Sequence, residues 1–165
     1  MSADTQTILE LIRKQEVDLV LPSFSKAIAW EIGCLARNLA VERGHAVAIE
    51  VRSNGAPVFT TALDGTTPNS MRWLTRKGNT VALFDRSSYG LSLQLTAKNQ
   101  TLARHALPEA EYTADGGGFP LRVSNAGLVG SLAVSGLDQR SDHELAVEAI
   151  CLHLQLDYAA FALPK

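Results

Sequence analysis

Ser141, Asp142, His143 and Glu144 put a hydroxyl, two carboxylates and an imidazole on four consecutive positions, with Asp138 and Arg140 just upstream. These are the parts of a general acid–base centre, and equally the parts of a helix start. Serine at an N-cap with glutamate three residues on is the capping-box pattern, in which each side chain accepts a backbone N–H from the other end of the turn. Asp142 also suits the positive end of the helix dipole. That accounts for Ser141, Asp142 and Glu144, and leaves His143 at the second helical position, facing either a cleft or solvent.

Other chemical signals are weaker. Gly116, Gly117 and Gly118 suggest a phosphate loop, but Phe119-Pro120 leads the chain into a strand rather than a helix N-terminus. A turn that admits the chain to a hairpin is the plainer reading, with close backbone approach to a ligand as the other use of glycine. Neither Ser131 nor Ser135 stands in Gly-x-Ser-x-Gly. His45, His105, His143 and His153 form no His-x-x-x-His pair, no Cys-x-x-Cys occurs, and Val147 stands where a zincin needs its second histidine. No dedicated metal site is therefore expected, although a single axial ligand to haem iron needs no such spacing. Ser87 and Ser88 beside Arg86 offer hydroxyls and a guanidinium to a carboxylate or phosphate, or serve as local helix caps.

Bulk properties narrow the function classes. A chain of 165 residues is long enough for one domain that buries about 70 % of its unfolded surface, and a single domain over 1–165 is expected, with an N-terminal helix over 1–15. A net charge of −2 gives no general attraction to nucleic acid or an anionic membrane. "MSADTQTILELIRKQ" lacks the pattern of a secretory signal, and no run approaches the ~18 apolar residues of a membrane span; a cytoplasmic protein is expected. Cys34 and Cys151 lie in helix-like patterns and read as buried reduced thiols.

Charge is unevenly spread. Between Thr66 and His105 six basic residues (Arg72, Arg76, Lys77, Arg86, Lys98, Arg104) face one acid, Asp85, a net charge of +5 that leaves −7 for the rest. Three readings fit: a solvated basic face, an anion pocket, or a patch that meets the acidic last stretch of another subunit, with Asp138, Asp142, Glu144, Glu148 and Asp157.

The elements that must position these residues follow from periodicity. Thr5–Gln15 reads as a short helix and Val17–Leu21 as a brief extended piece. Ile28, Ile32, Leu35 and Leu39 form one helical stripe within Ser23–Arg43, stopped by Gly44. β-prone runs flank Asn54-Gly55, a hairpin signature, and Thr67-Pro68 starts a helix. From Asn69 to Asn99 helical spacing at Val81, Phe84, Leu91 and Leu95 competes with strand-like alternation in "LSLQL". Gln100–Gly118 is mostly loop. "FPLRVS" and "LVGSLAVSG" make a second hairpin across Asn125-Ala126-Gly127, and Ser141–Tyr158 is helical with Leu145, Ala149, Leu152 and Leu156 in line. Two hairpins separated by helices predict an α+β fold, one antiparallel sheet covered by helices.

"GGGFPLRV" and "LVGSLAVSGLDQRSDHELAVEA" resemble the glycine-rich hairpin and final helix of the haem-degrading-domain family, the group of GlcG-like and HbpS-like proteins. "WLTRKGNTVALFDRSSYGLSLQL" together with "DHEL" is similar to that family's small intracellular branch, which has no established activity. The resemblance runs from about Phe24 to Ile150. It implies a profilin-like antiparallel sheet with flanking helices, a helix over Ser87–Lys98, and a homo-oligomer. It also implies site residues. His143, Arg76, Lys77 and Ser88 match the branch's motif positions, His143 as a contact for iron or an acidic substrate, Arg76 and Lys77 for carboxylates such as haem propionates. The function so implied is binding or degradation of haem in a sheet–helix or intersubunit cleft. A non-catalytic binder or sensor of a small anionic ligand, and an interaction scaffold, are the alternatives.

Overall fold

The computed structural model describes residues 3–164. In chain order they form α1 (Ala3–Asp18), β1 (Val20–Leu21), α2 (Lys26–Glu42), β2 (Ala48–Ser53), β3 (Ala56–Ala62), α3 (Pro68–Phe84), α4 (Ser88–Ala97), β4 (Gly118–Val123), β5 (Gly127–Ser135) and α5 (Gln139–His153), with 3-10 turns at Leu102–His105 and Tyr158–Ala160. Both hairpins form. Asn54 and Gly55 take φ of 48° and 83°, and Asn125 and Gly127 take 66° and 74°, the left-handed values that asparagine and glycine reach most cheaply. β5 pairs antiparallel with β2, joining the hairpins into a sheet of order β1-β4-β5-β2-β3. The sheet departs from pure antiparallel at one edge, where β1 lies parallel to Arg122 and Val123. Two residues are too short a run for periodicity to reveal their direction.

The expected stripe on α2 is present, with Ile32 and Leu39 buried and Ile28 and Leu35 packed against them. The segment left open between Asn69 and Asn99 is two helices, α3 and α4, with Leu91 and Leu95 buried one turn apart. A break between them is enforced by Asp85 in the left-handed conformation (φ 52°) and by Ser87, whose Oγ accepts from the Gly90 N–H and caps α4.

α5 corrects two expectations. Its N-cap is Asp138 rather than Ser141: Asp138 Oδ1 accepts from the Arg140 and Ser141 N–H groups, each at 3.1 Å, and the Ser141 hydroxyl donates to Asp138 Oδ2. Asp caps as well as Ser, so two candidates three residues apart competed and the earlier one won. Glu144 does not close a capping box. It instead accepts from the Tyr158 hydroxyl and the Leu163 N–H. The helix also ends at His153, and Leu152 and Leu156 are exposed; the buried face is Asp142, His143, Leu145, Ala146, Ala149 and Ile150.

The two faces of the sheet differ in kind. Ile49, Val51, Phe119, Leu121, Leu132 and Val134 all belong to the main core, which α2 and α5 close with Ala29, Ile32, Ala36, Ala146, Ala149 and Ile150. Alternate residues face α3: Ala48, Glu50 and Arg52 on β2, Ser131, Ala133 and Ser135 on β5, with Ala48 and Ala133 packed against Leu74 of α3. Small side chains on that face leave room for long charged ones. α1 packs beside α4 through Ile12, Tyr89 and Leu163.

Candidate functional site

Lys77 projects from α3 to the floor of a cleft of about 360 Å³. Asn69, Ser70 and Trp73, one to two turns earlier on α3, form one wall; Asp115, Ser135 and Gln139 line the opposite side. The Lys77 ammonium donates to Asp142 Oδ2 and to the Val134 carbonyl, both at 2.8 Å. Asp142 Oδ1 accepts from the Leu137 N–H at 3.0 Å. Both charged groups are buried, at 3 % and 2 % exposure. Burial pushes the Lys77 pKa down and the Asp142 pKa up, and each charge offsets part of the other's shift. An ammonium has three protons; two are engaged, and the third remains for whatever enters the cleft.

The triple glycine is what lets this pair exist. A Cβ on Gly117 would sit 2.8 Å from Lys77 Nζ and 2.3 Å from the Val134 carbonyl oxygen, and one on Gly116 would sit 2.2 Å from the Gln139 carbonyl oxygen. Gly117 also holds φ at 119°, which L side chains rarely adopt. The glycines therefore serve close packing of backbone over the ion pair, a structural use distinct from the approach to a ligand that the sequence suggested.

The four residues carried over from the resemblance do not converge on one surface. Lys77 lines the cleft. Ser88 lies nearby but fully buried, its Oγ accepting from the Gly118 N–H at 2.9 Å. Arg76 turns away: its guanidinium lies 4.1 Å over the Trp73 ring and donates to the Tyr112 carbonyl, in a different cavity. His143 faces neither cleft nor solvent. It has no exposed surface, lies between the Tyr89 and Phe119 rings, and its Nε2 is 2.8 Å from Gln15 Oε1. Gln15 Nε2 donates to the Phe161 carbonyl, so Oε1 is the atom turned to the ring and the imidazole proton sits on Nε2. Burial lowers the His143 pKa to about 3, which keeps the ring neutral. Ser87, offered to an anion, already holds one: its N–H and hydroxyl both donate to Glu16 of α1.

The acids of the last stretch are all engaged within the chain. Asp142 pairs with Lys77, Glu148 takes both ends of the Arg43 guanidinium, Glu144 meets Tyr158, and Asp138 and Asp157 cap α5 and the last turn. Among the described residues, Lys77 alone of the basic segment meets an acid of the last stretch, through Asp142.

Haem iron takes histidine, cysteine, methionine or tyrosine as axial ligand, and none of these lines the Lys77 cleft. His45 and Tyr158 line a separate cavity of about 230 Å³ among Arg43, Glu144 and Glu148, which is below the size of a typical organic-ligand pocket, about 300–1,000 Å³, and too acidic for an apolar macrocycle. His105 stacks edge-on against Phe84 and His153 faces Glu31. Two larger cavities, each about 370 Å³, do carry residues of the axial-ligand types, Cys34 and His153 in one and Tyr112 beside Arg76 in the other. Cys34 and Cys151 are free, and burial raises the Cys151 thiol to about 11.

Sequence reasoning missed a second buried pair, Glu50–Arg52, with Arg52 Nε 2.5 Å from Glu50 Oε1. Its signal was present: charges two apart in a strand share a face.

Comparison with known proteins places the chain. A UPF0303 protein of Burkholderia thailandensis is 52% identical over 158 residues, covering 95% of this chain and 96% of that one. A UPF0303 protein of Paraburkholderia xenovorans is 50% identical over the same length. The fold is similar to that of the Ybr137w protein, with a TM-score of 0.83 at 24% identity and 92% of both chains covered. It is also similar to HbpS, at 0.65 and 22% over 79% of this chain and 89% of that one, and to PduOC in a haem complex, at 0.66 and 20% over 78% and 94%. The family model described as haem degrading protein HbpS-like matches residues 24–151, and the chain belongs to that HbpS-like family.

Proposed function

We propose that the protein binds a small polar organic molecule in the Lys77 cleft, with an oxygen of the ligand accepting the third Lys77 proton and Trp73 as the apolar wall. The observation that carries this reading is the buried ammonium on the cleft floor with one donor unspent. The charge of the site narrows the anion suggested by the sequence. Lys77 is already offset by Asp142, and Asp115 adds a second carboxylate at the rim. A neutral carbonyl or hydroxyl compound, or a zwitterion, therefore fits better than a phosphate. His143 has no part in this site, Arg76 touches it only by stacking on the Trp73 ring, and Ser88 acts behind it, holding the glycine strand over Lys77.

The test is a thermal-shift screen with polyols, amino acids, monocarboxylates and phosphates, because a ligand that binds only the folded state raises the apparent stability. A compound of the first two classes should raise the midpoint for the wild type and not for Trp73→Ala. No stabilising compound, or stabilisation that survives Trp73→Ala, overturns the reading.

Family membership supports a second reading, haem held in a cleft between copies of the chain. It requires a homo-oligomer, because the cleft it invokes lies between copies and the Lys77 cleft of one chain offers iron no axial ligand. Titration with haemin should then give a saturable Soret band in the assembled fraction on sedimentation and none in the monomer. A flat titration removes this reading and leaves the first untouched.

A further inference from the structure

We propose that a second site, built from Arg52 and Ser131 beneath α3, binds the carboxylate of a small organic acid. The two residues are direct partners in the β2–β5 ladder, so their side chains stand together on the α3 face of the sheet. Arg52 donates through Nε to Glu50 and through Nη1 to Asn79 Oδ1 at 3.0 Å. A guanidinium has five N–H donors, which leaves three unspent on a residue only 8 % exposed. Ser131 is 4 % exposed, and its hydroxyl has no hydrogen bond with any described residue. That hydroxyl opens onto the cavity Ser131 lines and is free to donate into it. Both side chains line one cavity of about 140 Å³, whose remaining walls include Ala82, Leu128 and Val129.

The cavity's size and chemistry select the ligand. At about 30 Å³ per water, it holds on the order of four or five non-hydrogen atoms. A planar carboxylate matches the fork of unspent guanidinium donors, with the Ser131 hydroxyl as a further donor and a short alkyl group against Leu128 and Val129. Phosphate fits poorly, because Glu50 already offsets the one Arg52 charge and a dianion would find no second cation in the lining. Gly78 holds the guanidinium flat against α3: a Cβ there would lie 3.2 Å from Arg52 Cδ and Nε. The site does not depend on the Lys77 cleft, which lies at the other end of the same helix face.

Sodium acetate titrated at constant ionic strength against sodium chloride, and followed by amide NMR shifts, tests the site. Saturable shifts at Gly78, Gly130 and Ser131 with acetate alone are expected, with Gly116 and Gly136 at the Lys77 cleft unmoved. Ser131→Ala should weaken binding several-fold, and Ala82→Leu should abolish it by filling the cavity while leaving the Arg52–Glu50 pair intact. Failure to saturate, equal shifts with chloride, or an unchanged titration in both variants would overturn the proposal and leave a cavity that holds only water.

Discussion

Leu132 and Ala133 are neighbours in β5, yet they face opposite worlds. Leu132 enters a core of aliphatic and aromatic side chains closed by the alanines of α2 and α5. Ala133 faces α3, between two buried ion pairs, Glu50–Arg52 and Lys77–Asp142. The first face is held by non-directional burial, worth about 1.5–3 kcal/mol per large side chain, and tolerates change in proportion to volume lost. The second is held by charges whose desolvation is compensated only while every partner is present. Both proposed sites lie on that second face, for a physical reason. Small residues on the sheet, Ala48, Gly118, Ser131, Ala133 and Ser135, leave gaps that charged side chains cross and ligands can enter, whereas interdigitated Leu and Phe leave none.

The sharpest way to break the comparison is to remove one charge. Lys77→Met strands the Asp142 carboxylate and should destabilise the protein by about 3–5 kcal/mol, read as the urea midpoint at constant slope. Adding Asp142→Asn removes the stranded charge and should restore most of that loss. Leu132→Ala costs a similar amount, about 2–5 kcal/mol, but no change in its neighbours should recover it by removing a partner. If the double variant is no more stable than Lys77→Met alone, the pair is not what makes the α3 face sensitive.

An effect of similar size, spread over a range of pH, comes from a titratable ring packed against the apolar side. His143 packs against Phe119 and is held neutral, with a pKa of about 3 against 6.5 for a free imidazole. Between those values the unfolded chain binds the extra proton, so stability is full above pH 6.5, falls as the pH drops, and levels off below 3. The loss across that window is on the order of 5 kcal/mol. His143→Leu should flatten this part of the stability–pH curve, while leaving Gln15 Oε1 without its donor. The Lys77–Asp142 variants should leave the His143 segment of the curve in place, which separates a group buried neutral from groups buried as a pair.

How much of this was legible in the sequence divides along the same line. The apolar face was read well, because Ile32 and Leu39 on α2 and the two turn asparagines carry local, periodic signals. The α3 face was not. "AIEVRS" alternates apolar and polar as a strand with one wet face does, and nothing local says that α3 covers its polar side. Lys77 and Asp142 are 65 residues apart, and their pairing depends on Gly117 passing over both. The same distance effect misplaced His143, which looked free because Gln15, its partner, lies 128 residues away.

The smallest effect tests how α5 begins, where the two faces meet at the Lys77 cleft. Asp138 and Ser141 both carry capping oxygens, but only Asp138 accepts from backbone, and Ser141 merely donates to it. Hydrogen bonding to Ser141 holds the Asp138 pKa below the ordinary carboxylate value. Asp138→Ala should therefore cost about 1 kcal/mol at neutral pH, with part of the difference from wild type fading in acid as the carboxyl takes its proton. Ser141→Ala removes one exposed side-chain bond and should cost less, since the backbone donors keep their acceptor. If Ser141→Ala proves the costlier change, the helix starts where the sequence pattern put it, and the first turn that carries Asp142 to Lys77 is differently wound.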